Sequence, residues 1–154
     1  MQILFLNVNF ALLRHFGHTG YHSNTERKGG RIKLMEIIRH NGQSAAVIDA
    51  SERINSAQEM LDQMASAHYL SGSDAMVVYK ESLGESFFDL KTGFAGEVLQ
   101  KFSNYRMRLA IVGDFSVYKS KALRDFIYES NKGRLVFFKS SLEAALNALA
   151  DVMN

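Results

Sequence analysis

Glu85-Ser-Phe-Phe-Asp-Leu-Lys-Thr-Gly-Phe-Ala-Gly-Glu-Val-Leu-Gln-Lys-Phe-Ser-Asn-Tyr-Arg-Met-Arg-Leu-Ala-Ile-Val-Gly-Asp-Phe115 is the stretch on which the fold turns. Ser86 and Asp89 have the spacing of a helix-start box. Lys91-Thr92-Gly93 then interrupts an apolar helical pattern, and a glycine there costs up to about 1 kcal/mol relative to alanine unless the backbone needs it. The helix is therefore expected in two pieces. One is a single turn over 86–90; the other is capped by Thr92, runs to about 104 and buries Phe94, Ala95, Val98, Leu99 and Phe102. Leu109-Ala-Ile-Val112 follows, apolar without alternation, as a strand covered on both faces is.

The same alternation extends both ways. Ile32–Ile38 and Ser44–Asp49 flank His40-Asn41-Gly42, and Asn-Gly between two apolar runs predicts a hairpin, with strands at about 32–39 and 43–49. A helix is expected over about 55–69, from the stripe Ile54, Ala57, Met60, Leu61, Met64 and Ala67. Its start box is either Asn55 with Gln58 or Ser56 with Glu59. Asp74–Tyr79 is the next buried strand. Beyond residue 113, Ser120 caps a helix that turns Leu123, Phe126 and Ile127 inward, and Gly133 reads as its left-handed stop. Leu135–Phe138 is another buried strand. Ser140 with Glu143 opens a last helix that buries Leu142, Ala145, Leu146, Leu149 and Val152. The order β-β-α-β-α-β-α-β-α implies an α/β domain with one mixed, mostly parallel sheet opened by a hairpin.

Composition bounds the chemistry. The 154 residues make about one domain, and the chain has neither cysteine nor proline, which removes disulfides, thiolate metal sites and thiol nucleophiles. The net charge of +2 is concentrated in residues 1–34, where Arg14, Arg27, Lys28, Arg31 and Lys33 face Glu26 alone. The remainder is net acidic, so no nucleic-acid partner is expected. Asn7 and Asn9 break the apolar run from Met1 to Phe16, which suits neither export nor a bilayer span. The expected location is the cytoplasm. His15, His18 and His22 lack the spacing of a helical metal pair, because Gly17 and Gly20 interrupt them, so no metal is expected. Glu26-Arg-Lys-Gly-Gly-Arg31 can be encoded entirely by purine-rich codons three codons before Met35, the layout of a ribosome-binding tract read in frame. Residues 1–34 are thus expected to be an extension, poorly ordered or not native, and 35–154 the domain.

Phe87-Phe-Asp-Leu-Lys-Thr-Gly-Phe-Ala-Gly-Glu-Val-Leu-Gln-Lys-Phe-Ser-Asn-Tyr105, with Leu109-Ala-Ile-Val-Gly-Asp-Phe115 and Arg124-Asp-Phe-Ile-Tyr-Glu-Ser-Asn-Lys-Gly133, resembles the bacterial domain of unknown function 4180 over roughly residues 35–150. That resemblance brings no activity. The element order is also similar to the anti-sigma-factor antagonist (STAS-like) fold. There a helix N-terminus beside a central strand carries a phosphorylatable Ser followed by Gly, and Asp89-Leu-Lys-Thr92-Gly93 is the corresponding step, with Lys91-Thr92 replacing Ser-Ser.

Ligands of open α/β sheets bind beyond the carboxyl ends of the parallel strands. Those ends are expected to present Lys80, Glu81 and Ser82; Gly113, Asp114 and Ser116; and Ser140 and Ser141. Helix N-termini at that edge favour an anion, although a plain helix cap is the readier account of each Ser or Thr taken singly. No GxxxxGK[ST], GxGxxG or GxSxG occurs, so no cofactor is expected. His40 and His68 lie away from this edge, which leaves no Ser-His-Asp arrangement. The preferred expectation is a STAS-like binding or regulatory module acting on a protein partner or small anion through Lys91, Thr92 and Gly93, with Glu81, Asp114, Ser116 and Ser140 as further binding candidates. The alternatives are a small enzyme or ligand binder using the carboxylates of Glu81 and Asp114, and a structural, oligomerising domain.

Overall fold

The computed structural model describes residues 35–151; the expectations for residues 1–34 and Val152 lie outside these. Strand β1 (Met35–His40) and β2 (Gln43–Ile48) form the hairpin, antiparallel, with Met35 opposite Ile48 and His40 opposite Gln43. Asn41 and Gly42 both take positive φ, 49° and 77°, as a two-residue hairpin turn demands. Helix α1 (Ala57–Ser71) leads to β3 (Ala75–Tyr79). Of its two candidate start boxes the second forms: Ser56 Oγ accepts the Glu59 N–H at 3.1 Å, and the Glu59 carboxylate accepts the Asn55 N–H at 2.6 Å.

After β3 the chain makes a 3-10 turn (Lys80–Ser82), the short helix α2 (Glu85–Phe88), a second 3-10 turn (Leu90–Thr92) and helix α3 (Phe94–Asn104). The two-piece entry is therefore present. Its caps differ from the expected ones. Gly84 opens α2 without a side-chain cap, and Asp89, instead of pairing with Ser86, accepts the Lys91 N–H at 3.2 Å and starts the next turn. Gly93, at φ 79°, is the residue that redirects the chain into α3. Strand β4 (Arg108–Val112), helix α4 (Lys121–Lys132), strand β5 (Val136–Lys139) and helix α5 (Leu142–Asp151) complete the order. Two further ends are corrected. Gly133 ends α4 in extended backbone (φ −81°, ψ −162°), not left-handed, because the chain must enter β5 within two residues. Ser141, not Ser140, caps α5 by accepting the Ala144 N–H at 3.1 Å.

The five strands lie in sequential order, with β2 to β5 mutually parallel. Three parallel crossovers stepping in one direction must, if right-handed, place their helices on the same face. They do. Met60 and Met64 of α1, Val98 and Phe102 of α3 and Leu123 of α4 share one core with Ile48, Met76, Val78, Leu109 and Ile111. Phe126 and Ile127 pack at its margin, half-buried. Among the described residues the opposite face carries only α5, whose Ala145, Leu146 and Leu149 lie on Ala45, Ala75, Val77, Ala110 and Phe137. Two contacts tie α5 down at the far edge. Arg108, almost wholly buried, donates to the Leu149 carbonyl, and His40 Nε2 lies 2.5 Å from Asn147 Oδ1.

Candidate functional site

The site follows from how the chain leaves its last two strands. After β4 it turns to the face of α1, α3 and α4; after β5 it turns to the face of α5. Adjacent parallel strands whose connections diverge to opposite faces open a crevice at their carboxyl ends. Here it is a cleft of about 420 Å³ between Gly113, Asp114 and Phe115 on the β4 side and Phe138, Lys139 and Ser140 on the β5 side, with Ala144 of α5 behind. The Phe115 and Phe138 rings meet edge to face, 5.2 Å between centroids.

The β4 wall has a fixed shape. Asp114 Oδ1 accepts both the Ser116 N–H (2.9 Å) and the Ser116 hydroxyl (2.6 Å). The same turn follows β2, where Asp49 Oδ1 accepts from Ser51 N–H (2.8 Å) and hydroxyl (2.5 Å). In both, hydrogen bonding by the serine hydroxyl and then by its N–H holds the carboxyl below its ordinary range, and the Lys80 ammonium adds to this at Asp114. Lys80 reaches across from β3. Its Nζ donates to the Asp114 carbonyl at 2.9 Å and lies 4.7 Å from the centre of the Tyr118 ring. Its stem lies so tightly on Gly113 that a Cβ there would stand 2.5 Å from Lys80 Cβ. Gly113 is therefore required for approach, not for a turn.

Tyr118 sits beneath Lys80, its ring stacked on Phe88 at 4.9 Å and 21°. Its hydroxyl is shielded from solvent and, among the described residues, has no direct hydrogen-bond partner. Its pKa is pushed up to about 12, first by burial and then by the Glu85 carboxylate, which acts as a nearby charge and not through a formed hydrogen bond.

The expected site residues divide. Asp114 and Ser140 line the cleft and Ser116 braces it, whereas Glu81 stands exposed on the 3-10 turn after β3 and is not among its walls. Lys80, the neighbour of Glu81, is the residue brought onto Asp114. Lys91, Thr92 and Gly93 are exposed at a separate place, the joint between α2 and α3. There the Thr92 hydroxyl lies 2.5 Å from the Ser86 carbonyl and 2.9 Å from the Asp89 carbonyl, and accepts the Phe94 N–H at 3.3 Å. It works as a staple. Sequence reasoning did not single out Lys139, Phe115, Tyr118 or the reach of Lys80. The one signal for the last was a glycine closing a strand where no positive φ is needed. Among the described residues no three His, Asp or Glu side chains are grouped to hold a metal ion, and no helix is long and apolar enough to cross a membrane.

The molecule is thus an α/β domain with an open crevice at the carboxyl ends of β4 and β5. Residues 39–149 match the family described as a domain of unknown function, DUF4180, and the chain belongs to that family. No curated protein and no solved structure matches it.

Proposed function

We propose that this domain is a small-ligand binding module whose seat is the cleft at the carboxyl ends of β4 and β5. The divergence of the two connections to opposite faces is the observation that carries the reading, because it makes a crevice without distorting the sheet. Phe115 offers a half-buried ring packed on the buried Phe138, Ser140 a hydroxyl and Lys139 an ammonium group, which lies 5.9 Å from the centre of the Phe137 ring. The Asp114 charge is engaged by Ser116 and offset by Lys80, which leaves Lys139 as the cation among the residues lining the cleft. The favoured ligand is a small molecule with an aromatic or aliphatic body and a carboxylate or similar anionic group. The role is regulatory, of the kind STAS-like modules fill in a bacterial cytoplasm. The exposed Lys91-Thr92-Gly93 turn is the surface offered to a protein partner.

Backbone amide shifts in an NMR fragment screen test this. Aromatic and aliphatic carboxylates are expected to move amides 113–116 and 138–144, and Lys139→Met to weaken them about tenfold, as loss of a charge-assisted hydrogen bond does. Shifts confined to other surfaces, or an affinity indifferent to Lys139, would overturn the reading.

A further inference from the structure

The Thr92 staple and the cleft are physically continuous. One hydroxyl proton is shared between the carbonyls of Ser86 and Asp89, the residues on either side of Phe87 and Phe88. That shared bond spans the end of the short helix α2, the turn that carries Phe87 and Phe88. The Phe88 ring is buried, stacks on Tyr118 and stands 6.1 Å from Phe115, which is a wall of the cleft. Tyr118 in turn lies under the Lys80 ammonium that holds the Asp114 carbonyl. Every link from the surface turn to the cleft wall is thus a direct contact, and α2 is the weakest element along it. It has a single turn, and no side chain caps its start.

We infer that the Asp89–Gly93 turn is a control handle for the cleft, with the Thr92 hydroxyl as its catch. With the catch made, Phe88 supports Tyr118 and Phe115, and the loop after β4 is held. With the hydroxyl drawn away, by a partner that competes for its hydrogen bonds, α2 loosens, Phe88 withdraws and the β4 wall of the cleft relaxes. Occupancy of the exposed turn and shape of the cleft are then two readings of one equilibrium. The inference rests on the cleft being the seat proposed above.

Hydrogen exchange of the full chain without ligand tests it. The reporters are the amides of Ser116, bonded to Asp114 Oδ1, and of Tyr118, bonded to the Phe115 carbonyl. Thr92→Val, which keeps the shape and removes the hydroxyl, is expected to speed their exchange about fivefold, the size of one lost hydrogen bond. Thr92→Ser is expected to restore the wild-type rate. Lys80→Met, which frees the loop directly, is expected to speed the same amides and shows that they report on how the loop after β4 is held. Should Thr92→Val fold poorly, Phe88→Leu cuts the chain of contacts at its middle and is expected to act alike. Faster exchange confined to residues 85–97, with 113–118 unchanged, overturns the handle while leaving ligand binding at Lys139 to be judged on its own. Faster exchange at 113–118 in a protein that binds no carboxylate supports the coupling and removes the seat.

Discussion

One missing methyl group at Gly113 lets two strand ends touch. The Lys80 stem occupies the space a side chain would take, so Gly113→Ala forces backbone or Lys80 to move. The expected cost is about 1–3 kcal/mol, the range for overpacking a filled site, read from urea denaturation. Lys80→Ala is not expected to rescue it, since the closest clash, 2.5 Å, is with Lys80 Cβ, which alanine keeps. Much at this scale was legible in the sequence. Asn41-Gly42 and the Ser56–Glu59 box satisfy their hydrogen bonds within a few residues, and local rules suffice for them. Gly113 was legible as the end of a strand, but not as a point of contact, because Lys80 is remote in sequence and adjacent only through the β3–β4 pairing.

At the scale of elements, the error at the start of α5 is instructive. Ser140 and Glu143 have the spacing of a start box, yet the β4–β5 ladder continues through Lys139, whose carbonyl accepts the Gly113 N–H at 2.9 Å. The strand ends only at Lys139, so Ser140 is taken up in the bend that leaves the sheet and the cap falls on the next residue, Ser141. Ser141→Ala is therefore expected to destabilise the domain by about 1 kcal/mol, and Ser140→Ala by less than about 0.5 kcal/mol, in thermal or urea melts. Ser140 remains a wall of the cleft, so its substitution is expected to register in ligand binding instead. The same competition explains Gly133. Its left-handed stop is displaced because Leu135 already bonds into the sheet, its carbonyl accepting the Leu109 N–H at 2.9 Å.

At the scale of the whole domain the sheet has, among the described residues, three helices of two turns or more on one face and a single helix on the other. That single helix lies close because the strands beneath it supply Ala45, Ala75 and Ala110. Ala110 is fully buried there, so Ala110→Leu is expected to lift α5 and cost about 1–3 kcal/mol, measured by the urea midpoint, with the cleft lost as α5 shifts. Periodicity, turn chemistry and the right-handed crossover rule were enough, read from the chain alone, for the α/β class, the order of elements and the two-piece entry at Gly93. These are matters of hydrogen bonds and side-chain spacing within a few turns. The face taken by α5, the fork it creates with α4, the reach of Lys80 to Asp114 and the stacking of Phe88 on Tyr118 were decided only by the tertiary structure. Each depends on which surfaces remain uncovered once the other elements have packed, and no local pattern carries that information.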